Sequence, residues 1–384
     1  MKITNDIIYA GVNDRVTDLF EGQYVIPEGM AYNSYVIADE KLCVMDSVDG
    51  RFSEEWLANI EKVAPGRKPD YLVIQHVEPD HSSSVAAFAA KYPEAAIVAS
   101  AKAFTMLKNF YGVDYSPRGI TVGEGSELPL GRHTLRFFTA PMVHWPEVIM
   151  TYDAADKVFF SADAFGKFGA LDAEEDWACE ARRYYFGIVG KYGAQVQNLL
   201  KKISGLEIGT ICPLHGPVLT EDLPYYLGLY NTWSGYGVES EGVVIAYTSV
   251  YGNTKKAAEL LEKKLLEKGC PKVALNDLAR CDMAEAVEDA FRYGKIALCT
   301  TTYNNDIFPF MKAFISDLTE RNFSNKTVGF IENGSWAPNA AKNMKKLLEG
   351  CKNLSFTETT VTLLSSMTAE NEAAIDALAD ELLK

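Results

Sequence analysis

The chain contains 384 residues, more than one hydrophobic core usually serves, so its length predicts two domains. Hydrophobic residues make up 48% of the chain and charged residues 23%, which is typical of globular proteins with an ample core. The formal net charge is −15, and such an acidic chain offers no basic face to phosphate groups. We therefore expect no nucleic-acid partner and no binding to an anionic membrane.

Targeting signals and cysteine pairs are also missing from the sequence. The first residues contain no basic segment followed by an apolar run, and no stretch is apolar for long enough to span a bilayer. We predict a soluble, cytoplasmic protein. The seven cysteines include no Cys-x-x-Cys pair, which excludes a rubredoxin-type site and favours reduced thiols that pack as small hydrophobic groups.

The first part of the chain, residues 1–240, reads as short strands with turns and a few helices between them. Alternating or continuous apolar runs predict strands at 32–38, 41–45, 71–75, 96–99, 133–139, 148–152 and 157–161. The first two of these strands flank a turn and predict a hairpin. Residues of metal-binding type lie at or just after the ends of such strands, which predicts a sheet-rich scaffold with ligands on loops at one rim.

Four of the five histidines belong to one spaced pattern with carboxylates. The candidate metal ligands are His76, Glu78, Asp80, His81, His144, Asp163 and His215. A dinuclear iron or zinc centre needs about three ligands per ion and one shared group, so seven ligands suffice for two ions. His133 lies outside the pattern, and we predict only a packing or surface role for it.

From residue 241 onward, strands and helices alternate strictly. The sequence predicts strands at 243–248, 272–275, 295–299, 327–332 and 356–363, with helices at 254–268, 284–293, 310–319, 339–349 and after residue 368. Such alternation predicts a parallel, doubly wound sheet. The polar, glycine-bearing segment 234–242 is the predicted linker, so the domains are predicted at 1–240 and 241–384.

Three loops of the second domain follow its first, third and fourth strands, at the edge where doubly wound sheets bind ligands. The candidate cofactor-binding residues are Thr248, Ser249, Val250, Tyr251, Gly252, Asn253 and Thr254 in the first loop, Thr302, Tyr303, Asn304 and Asn305 in the second, and Gly334, Ser335 and Trp336 in the third. The first loop offers N–H and O–H donors to a phosphate at a helix N-terminus. The chain contains no Gly-x-x-x-x-Gly-Lys motif, which argues against ATP or GTP.

The ligand pattern His76-x-Glu78-x-Asp80-His81 resembles the metallo-β-lactamase superfamily, with Glu78 in place of the second histidine of its zinc hydrolases. Together with the three loops, which resemble the FMN-binding loops of flavodoxin, the whole chain is similar to the two-domain class of flavodiiron proteins. The resemblance implies an α/β fold, in which a metallo-β-lactamase-like αββα sandwich precedes a flavodoxin-like doubly wound parallel sheet.

The same resemblance implies two iron ions and FMN as cofactors. The first ion would be bound by His76, Glu78 and His144 and the second by Asp80, His81 and His215, with Asp163 bridging them. The anionic oxygen of Glu78 favours iron over zinc. Tyr303 and Trp336 would pack against the flavin ring, and no catalytic residue beyond the metal ligands is implied.

The implied activity is reduction of O2 to water, of NO to N2O, or both. Electrons would come from a separate donor, rubredoxin or reduced deazaflavin F420, and the family arrangement is a head-to-tail homodimer or a dimer of dimers. Trp145 could line the substrate pocket or simply pack. Two alternatives remain open, a dinuclear zinc hydrolase with an accessory flavodoxin domain and a non-enzymatic electron carrier.

Overall fold

The computed structural model describes residues 1–174 and 176–384 and divides into two compact units, Met1–Asn231 and Thr232–Lys384. The division therefore lies nine residues before the predicted boundary after residue 240. The last residues of the predicted linker belong to a strand that begins at Ser240.

The first unit is built mainly from short strands. They are β1 (Ile7–Tyr9), β2 (Val12–Asp14), β3 (Leu19–Phe20), β4 (Tyr24–Val25), β5 (Met30–Tyr32), β6 (Tyr35–Ala38), β7 (Leu42–Met45), β8 (Tyr71–Val73), β9 (Ala96–Ser100), β10 (Gly119–Val122), β11 (Glu127–Pro129), β12 (Thr134–Thr139), β13 (Ile149–Asp153), β14 (Val158–Phe160) and β15 (Thr210–Cys212). The helices are α1 (Ser53–Val63), α2 (Pro79–Ser82), α3 (Val85–Lys91), α4 (Ala101–Tyr111), α5 (Trp177–Tyr184), α6 (Gly193–Ile203) and α7 (Leu223–Ser234), the last of which contains the division between the units.

These strands form two main sheets that pack face to face. One sheet has the order β1-β6-β7-β8-β9-β10 and the other β11-β12-β13-β14-β15. Fully buried side chains of both sheets share one core, including Val73 and Val98 from the first sheet and Phe137, Ile149 and Phe160 from the second. Because alternate residues of a strand point to opposite faces, each sheet turns one apolar face to the other.

The helices of the first unit cover apolar sheet surface with one face each. Helix α1 buries Trp56 and Ile60, and α4 buries Phe104 and Leu107, while the lysines and glutamates of these helices lie outside. Ser100 caps the N-terminus of α4, where its hydroxyl accepts a hydrogen bond from the Ala103 N–H, and the left-handed Gly112 caps the C-terminus.

One predicted strand proves to be two. The segment predicted over 32–38 breaks between β5 and β6, although the hairpin of β6 with β7 is present as predicted. The break occurs at Asn33, whose side-chain amide donates hydrogen bonds of 2.8 Å to the carbonyl oxygens of Pro213 and Gly216. This prediction was wrong because the Asn33 backbone N–H donates at 2.8 Å to the carbonyl oxygen of Leu214, which lies far along the chain.

The second unit alternates strand and helix as predicted. Its strands are β16 (Ser240–Tyr247), β17 (Val273–Asp277), β18 (Tyr293–Tyr303), β19 (Asp306–Ile307), β20 (Lys326–Asn333) and β21 (Leu354–Leu363), and its helices are α8 (Asn253–Glu267), α9 (Met283–Arg292), α10 (Pro309–Glu320), α11 (Ala340–Leu348) and α12 (Ala369–Leu382). The main sheet has the order β17-β16-β18-β20-β21 with parallel pairing throughout, and the short β19 pairs antiparallel with β18. This 2-1-3-4-5 order among the long strands is that of doubly wound flavodoxin-like sheets.

Helices cover both faces of this sheet. Helix α8 buries Ala257, Leu261 and Leu265 in the same cluster as Ile375 and Leu378 of α12. Helices α9, α10 and α11 pack beside one another. The carboxyl ends of β16, β18 and β20 consequently meet at one open edge, which is where the predicted cofactor loops begin.

Among the residues described, no helix combines the length and the apolar composition needed to cross a membrane. All seven cysteines lie in the described ranges, and none of them forms a disulfide bond.

Candidate metal centre and flavin site

The loops that follow strands at one rim of the first unit bring all seven predicted metal ligands together. His76, Glu78, Asp80 and His81 follow β8, and the last two lie in the short helix α2, which begins at a proline. His144 lies between β12 and β13, and Asp163 and His215 follow β14 and β15. Strand β8 pairs with β7 on one side and β9 on the other, and its last two residues, Leu72 and Val73, are fully buried.

One group of ligand atoms consists of His76, Glu78, His144 and Asp163. The Nε2 atoms of His76 and His144 lie 3.3 Å apart, and the Glu78 Oε2 lies 3.3 Å from the first and 3.0 Å from the second. Asp163 Oδ2 is 3.4 Å from His76 Nε2 and 3.1 Å from His144 Nε2. Two ligand atoms at about 2.1 Å from one ion and about 90–110° apart lie roughly 3.0–3.4 Å from each other, so these spacings fit a common metal ion.

A second group consists of Asp80, His81 and His215. The Nε2 atoms of the two histidines lie 3.0 Å apart, and Asp80 Oδ2 lies 3.2 Å from that of His81 and 3.4 Å from that of His215. Asp163 Oδ1 faces this group, at 3.3 Å from His81 and 3.7 Å from His215. The two oxygens of Asp163 thus point to different groups, which is the geometry of a bridging carboxylate.

The carboxylates of the centre give an independent test of the fit to metal ions. Both side-chain oxygens of Asp163 and both of Asp80 are buried and have no hydrogen-bond partner within the described part of the chain. A buried carboxylate without a partner is costly unless a cation compensates it. Imidazole and carboxylate together suit iron and zinc, so the donor set and its orphaned oxygens fit two such ions.

Electrostatics within the cluster are dominated by the opposing charges of its members. Burial lowers the pKa of His76, but Asp163, Glu147 and Glu78 outweigh it and raise that pKa well above its ordinary value. Burial likewise opposes charge on Asp163, yet His76, His144 and His81 hold its pKa well below the ordinary range. The buried carboxylates therefore favour positive charge between them, and the buried histidines favour ionised carboxylates.

Residues around the cluster orient its histidines. The His215 Nδ1 lies 2.8 Å from the Ala31 carbonyl oxygen, and Phe20, Tyr32 and Tyr184 pack their rings against the His215 ring. Asn33 donates to the carbonyl oxygens of Pro213 and Gly216, which lie on either side of His215 in the chain. Asn33, at the break between β5 and β6, therefore holds the loop that carries His215.

Glu147 and Trp145 contact the other side of the cluster. Glu147 Oε1 lies 2.7 Å from His76 Nδ1, and the Trp145 ring meets the His76 ring edge to face at 5.1 Å. Phe110 stacks on Trp145 at 6.0 Å between ring centroids. Glu147 is not among the predicted site residues, since nothing in its local sequence distinguishes it from the other 51 acidic residues.

His133 lies apart from the seven ligands. It is fully buried, with Nδ1 2.9 Å from Asp153 Oδ2, so the predicted packing role fits its position and a surface role does not.

A cavity of about 450 Å³ opens at the carboxyl edge of the sheet in the second unit. Twelve of the fourteen predicted cofactor residues line it, and Thr301, Asn333, Ala337 and Ser365 line it as well. Ser365, which follows β21, is the one lining residue from a loop outside the three considered. The Asn333 side chain binds the backbone of Ser365. Its amide nitrogen donates to the Ser365 carbonyl oxygen, and its amide oxygen accepts from the Ser365 N–H, both at 3.0 Å.

Two predicted residues support the cavity without lining it. Thr248 is buried, and its hydroxyl lies 2.6 Å from that of Thr300, which links the first loop to the second. Gly252 has a φ of +90° immediately before α8, a conformation that a residue with a Cβ rarely adopts. The loop can therefore turn its amide groups toward the cavity at the N-terminus of a long helix.

The cavity rim is aromatic. Trp336 is 83% exposed, Tyr251 94% and Tyr303 45%. A polar cradle at a helix N-terminus beneath flat, exposed rings suits a ligand that has a phosphate at one end and a planar ring system at the other. The residues present thus fit FMN.

Comparisons with known proteins agree with both halves of this description. A family model described as ODP family beta lactamase matches residues 30–216, and a Flavodoxin model matches residues 245–379. The chain is 29% identical over 363 residues to the nitric oxide reductase of Moorella thermoacetica, covering 92% of this chain and 90% of that protein. It is 27% identical to the anaerobic nitric oxide reductase flavorubredoxin of Escherichia coli, covering 90% of this chain and 74% of that protein.

Solved structures give the same result. The flavodiiron protein from Giardia intestinalis superposes with a TM-score of 0.92 at 29% identity, covering 99% of this chain and 95% of that one. The rubredoxin oxygen:oxidoreductase of Desulfovibrio gigas superposes with a TM-score of 0.91 at 26% identity, covering 100% and 97%.

Fold and matches together define a β-lactamase-type metal-binding domain followed by a flavodoxin domain, which confirms the predicted fold class. The chain belongs to the flavodiiron protein family, as its ligand pattern and loops predicted.

Proposed function

We propose that this protein is an oxidoreductase that reduces O2 to water, NO to N2O, or both, at two iron ions supplied with electrons through FMN. The observation that carries the proposal is Asp163, whose two oxygens face two separate groups of histidine and carboxylate ligands. The relatives named nitric oxide reductase and rubredoxin oxygen:oxidoreductase support the same class of reaction.

In this proposal His76, Glu78 and His144 hold one iron, Asp80, His81 and His215 hold the other, and Asp163 bridges them. When bound, two ferrous ions supply one electron each and a reduced flavin two more, which matches the four electrons that O2 needs or the two that a pair of NO molecules needs. Glu78 supports iron over zinc, because it places an anionic oxygen where zinc hydrolases of this fold carry a histidine.

The protein side chains contribute binding, orientation and exclusion of water. His76, His81 and His215 are fully buried, so bulk water does not surround their metal-facing nitrogens. The Phe110–Trp145 stack covers His76, while Phe20 and Tyr184 cover His215. In the second unit, the loops around Ser249, Tyr303 and Ser335 would bind FMN, with Trp336 against its ring.

The partners of this reaction follow from the proposal. The substrate is a small gas molecule, and the electron donor would be a separate carrier, rubredoxin or reduced F420. Within the family arrangement, two chains associate head to tail as a homodimer, or as a dimer of dimers, in the cytoplasm. Sedimentation equilibrium of the purified protein tests the association directly.

The first experiment measures iron, zinc and FMN per chain after expression with iron supplied. Known amounts of O2 or NO are then added to anaerobically prepared protein with chemically reduced rubredoxin, and consumption of each gas is followed. Two irons and one FMN per chain with gas consumption would support the proposal. Two zinc ions with little iron, and no gas consumption by iron-reconstituted protein, would contradict it and favour the zinc hydrolase.

A further inference from the structure

Glu147 contacts the metal cluster through His76 without reaching a metal position itself. Its side chain is buried, and Oε1 lies 2.7 Å from His76 Nδ1 and accepts a second hydrogen bond from the Val77 N–H at 3.1 Å. The opposite ring nitrogen, Nε2, faces Glu78, His144 and Asp163. A hydrogen on Nδ1 that is donated to Glu147 leaves the Nε2 lone pair directed at the metal position.

The surrounding chain holds Glu147 in this place. The Ser100 hydroxyl donates to the Glu147 carbonyl oxygen at 2.8 Å, and the Ile149 N–H donates to the Gln75 carbonyl oxygen at 3.0 Å. Glu147 belongs to the same β12–β13 loop as His144. This loop therefore contributes to the first metal position in two ways. His144 supplies a ligand atom, and Glu147 orients the ligand His76.

The carboxylate of Glu147 is not shared with a second charged group among the described residues. In the described residues its only ion pair is with His76, and its second oxygen is buried without a hydrogen bond. Its negative charge is consequently directed at one imidazole in a region of low dielectric constant, where charge interactions are strong.

In the described part of the chain, no carboxylate bonds the far ring nitrogen of either histidine at the second metal position. The His215 Nδ1 faces the neutral carbonyl of Ala31, and the His81 Nδ1 has no hydrogen-bond partner in the part of the chain that is described. Among the described residues, a carboxylate thus contacts the far ring nitrogen only at His76. Asp46 is also buried near these histidines, but its oxygens accept hydrogen bonds from the backbone N–H and the side-chain amide of Gln75 instead.

We infer that Glu147 is a positioning residue that makes the two metal positions unequal, so that the His76 position binds its ion more tightly and keeps the ferric state longer on reduction. The inference deepens the proposed function and rests on it for the identity of the metal. The physical reason is that a carboxylate on the far nitrogen raises the basicity of a ligating imidazole, and a nearby negative charge favours the more highly charged ion.

The test is Glu147→Gln in the full-length holoprotein, because glutamine keeps the size and a hydrogen-bond acceptor but loses the charge. Loss of such outer partners typically lowers metal affinity about 10–100-fold, so iron retained after a chelator challenge should fall from two toward one per chain. The reduction potential of the mixed-valent state, followed by electron paramagnetic resonance, should rise.

A matched control is Asp153→Asn, which neutralises another buried carboxylate beside a histidine outside the seven proposed ligands, His133. It should leave iron content and potential unchanged. Glu147→Asp keeps the charge and should lie closer to the wild type in potential than Glu147→Gln does, which a role in packing alone would not produce.

The inference is overturned if folded Glu147→Gln, judged by normal FMN content, keeps two irons and the wild-type potential, or if it and Glu147→Asp behave alike. Failure of the proposed function is a separate result. If the wild-type protein holds zinc and consumes neither gas, the retention experiment with zinc still decides whether Glu147 makes the two positions unequal.

Discussion

Asp163 is the residue that joins seven side chains into a single centre. Without it, the histidines and carboxylates would form one group of three and another group of three. Its two oxygens are shared between the groups, and within the described residues no hydrogen bond compensates their burial. A cation on each side would offset the cost of burying these oxygens. Metal binding and the stability of the loops that carry the ligands are therefore coupled through Asp163.

At the rim of the flavin cavity, Trp336 is an exposed residue with a specific predicted function. Replacing it by alanine should weaken FMN binding by about 0.5–1.5 kcal/mol, the usual contribution of an aromatic pair beyond burial. This corresponds to a rise in Kd of roughly two- to twelvefold. Quenching of FMN fluorescence on titration with the flavin-free protein measures the change.

Phe310→Ala is the control for this substitution. Phe310 is 45% exposed in the same unit but does not line the cavity, so its loss should leave the FMN Kd unaltered. Equal weakening by both substitutions would mean that Trp336 acts through the general stability of the unit and not through the flavin ring.

At the scale of elements, the strand ends decide where chemistry occurs. In both units, the site residues lie at or just after the ends of strands, while the interiors of the strands contribute core side chains. The opposite end of the second sheet shows the contrast, since Lys326 at the start of β20 is buried there and donates to the carbonyls of Phe291 at 2.7 Å and Tyr293 at 2.6 Å.

Lys326 predicts a dependence of stability on pH. Burial lowers the pKa of Lys326 to about 7, although the negative charge of Glu239 partly opposes this shift. In the unfolded chain the pKa of a lysine is about 10.4. Between these values the unfolded state binds more protons, so the free energy of unfolding should rise with pH by up to about 1.4 kcal/mol per unit. Urea unfolding at pH 7, 8 and 9 measures the slope.

Lys326→Met should remove this rise, while Lys263→Met, at a position where the side chain is exposed on α8, should retain it. An identical pH slope in wild type and Lys326→Met would show that Lys326 stays protonated in the folded protein.

At the scale of the whole molecule, each unit has a hydrophobic core of its own. Damage to one core should therefore leave the cofactor of the other unit in place. Leu261→Ala removes a fully buried side chain of α8 and should destabilise the second unit by about 2–5 kcal/mol. FMN should be released at lower urea concentration, while iron content remains that of the wild type.

Leu266→Ala on the same helix is the control, because Leu266 is 51% exposed and surface changes usually stay within about 0.5 kcal/mol. Joint loss of iron and FMN in Leu261→Ala would indicate that the two units unfold as one.

Much of the fold and site follows from local patterns. The alternation after residue 241 predicted the elements of the second unit, and the loops at their carboxyl ends line the cavity found there. The break at Asn33, the contact of Glu147 with His76 and the position of Ser365 were not predicted. Each depends on residues that are distant in the chain, and periodicity contains no information about such partners.

By itself, the sequence determined the kinds of chemistry available, because residue type and spacing decide which ligands and phosphate donors follow each strand. The tertiary structure alone decided that Asp163 faces two groups of ligands, that Glu147 backs one histidine, and that Lys326 is buried. Distances of a few ångströms between loops of separate strands are set by how the sheets pack, and packing is a property of the whole core.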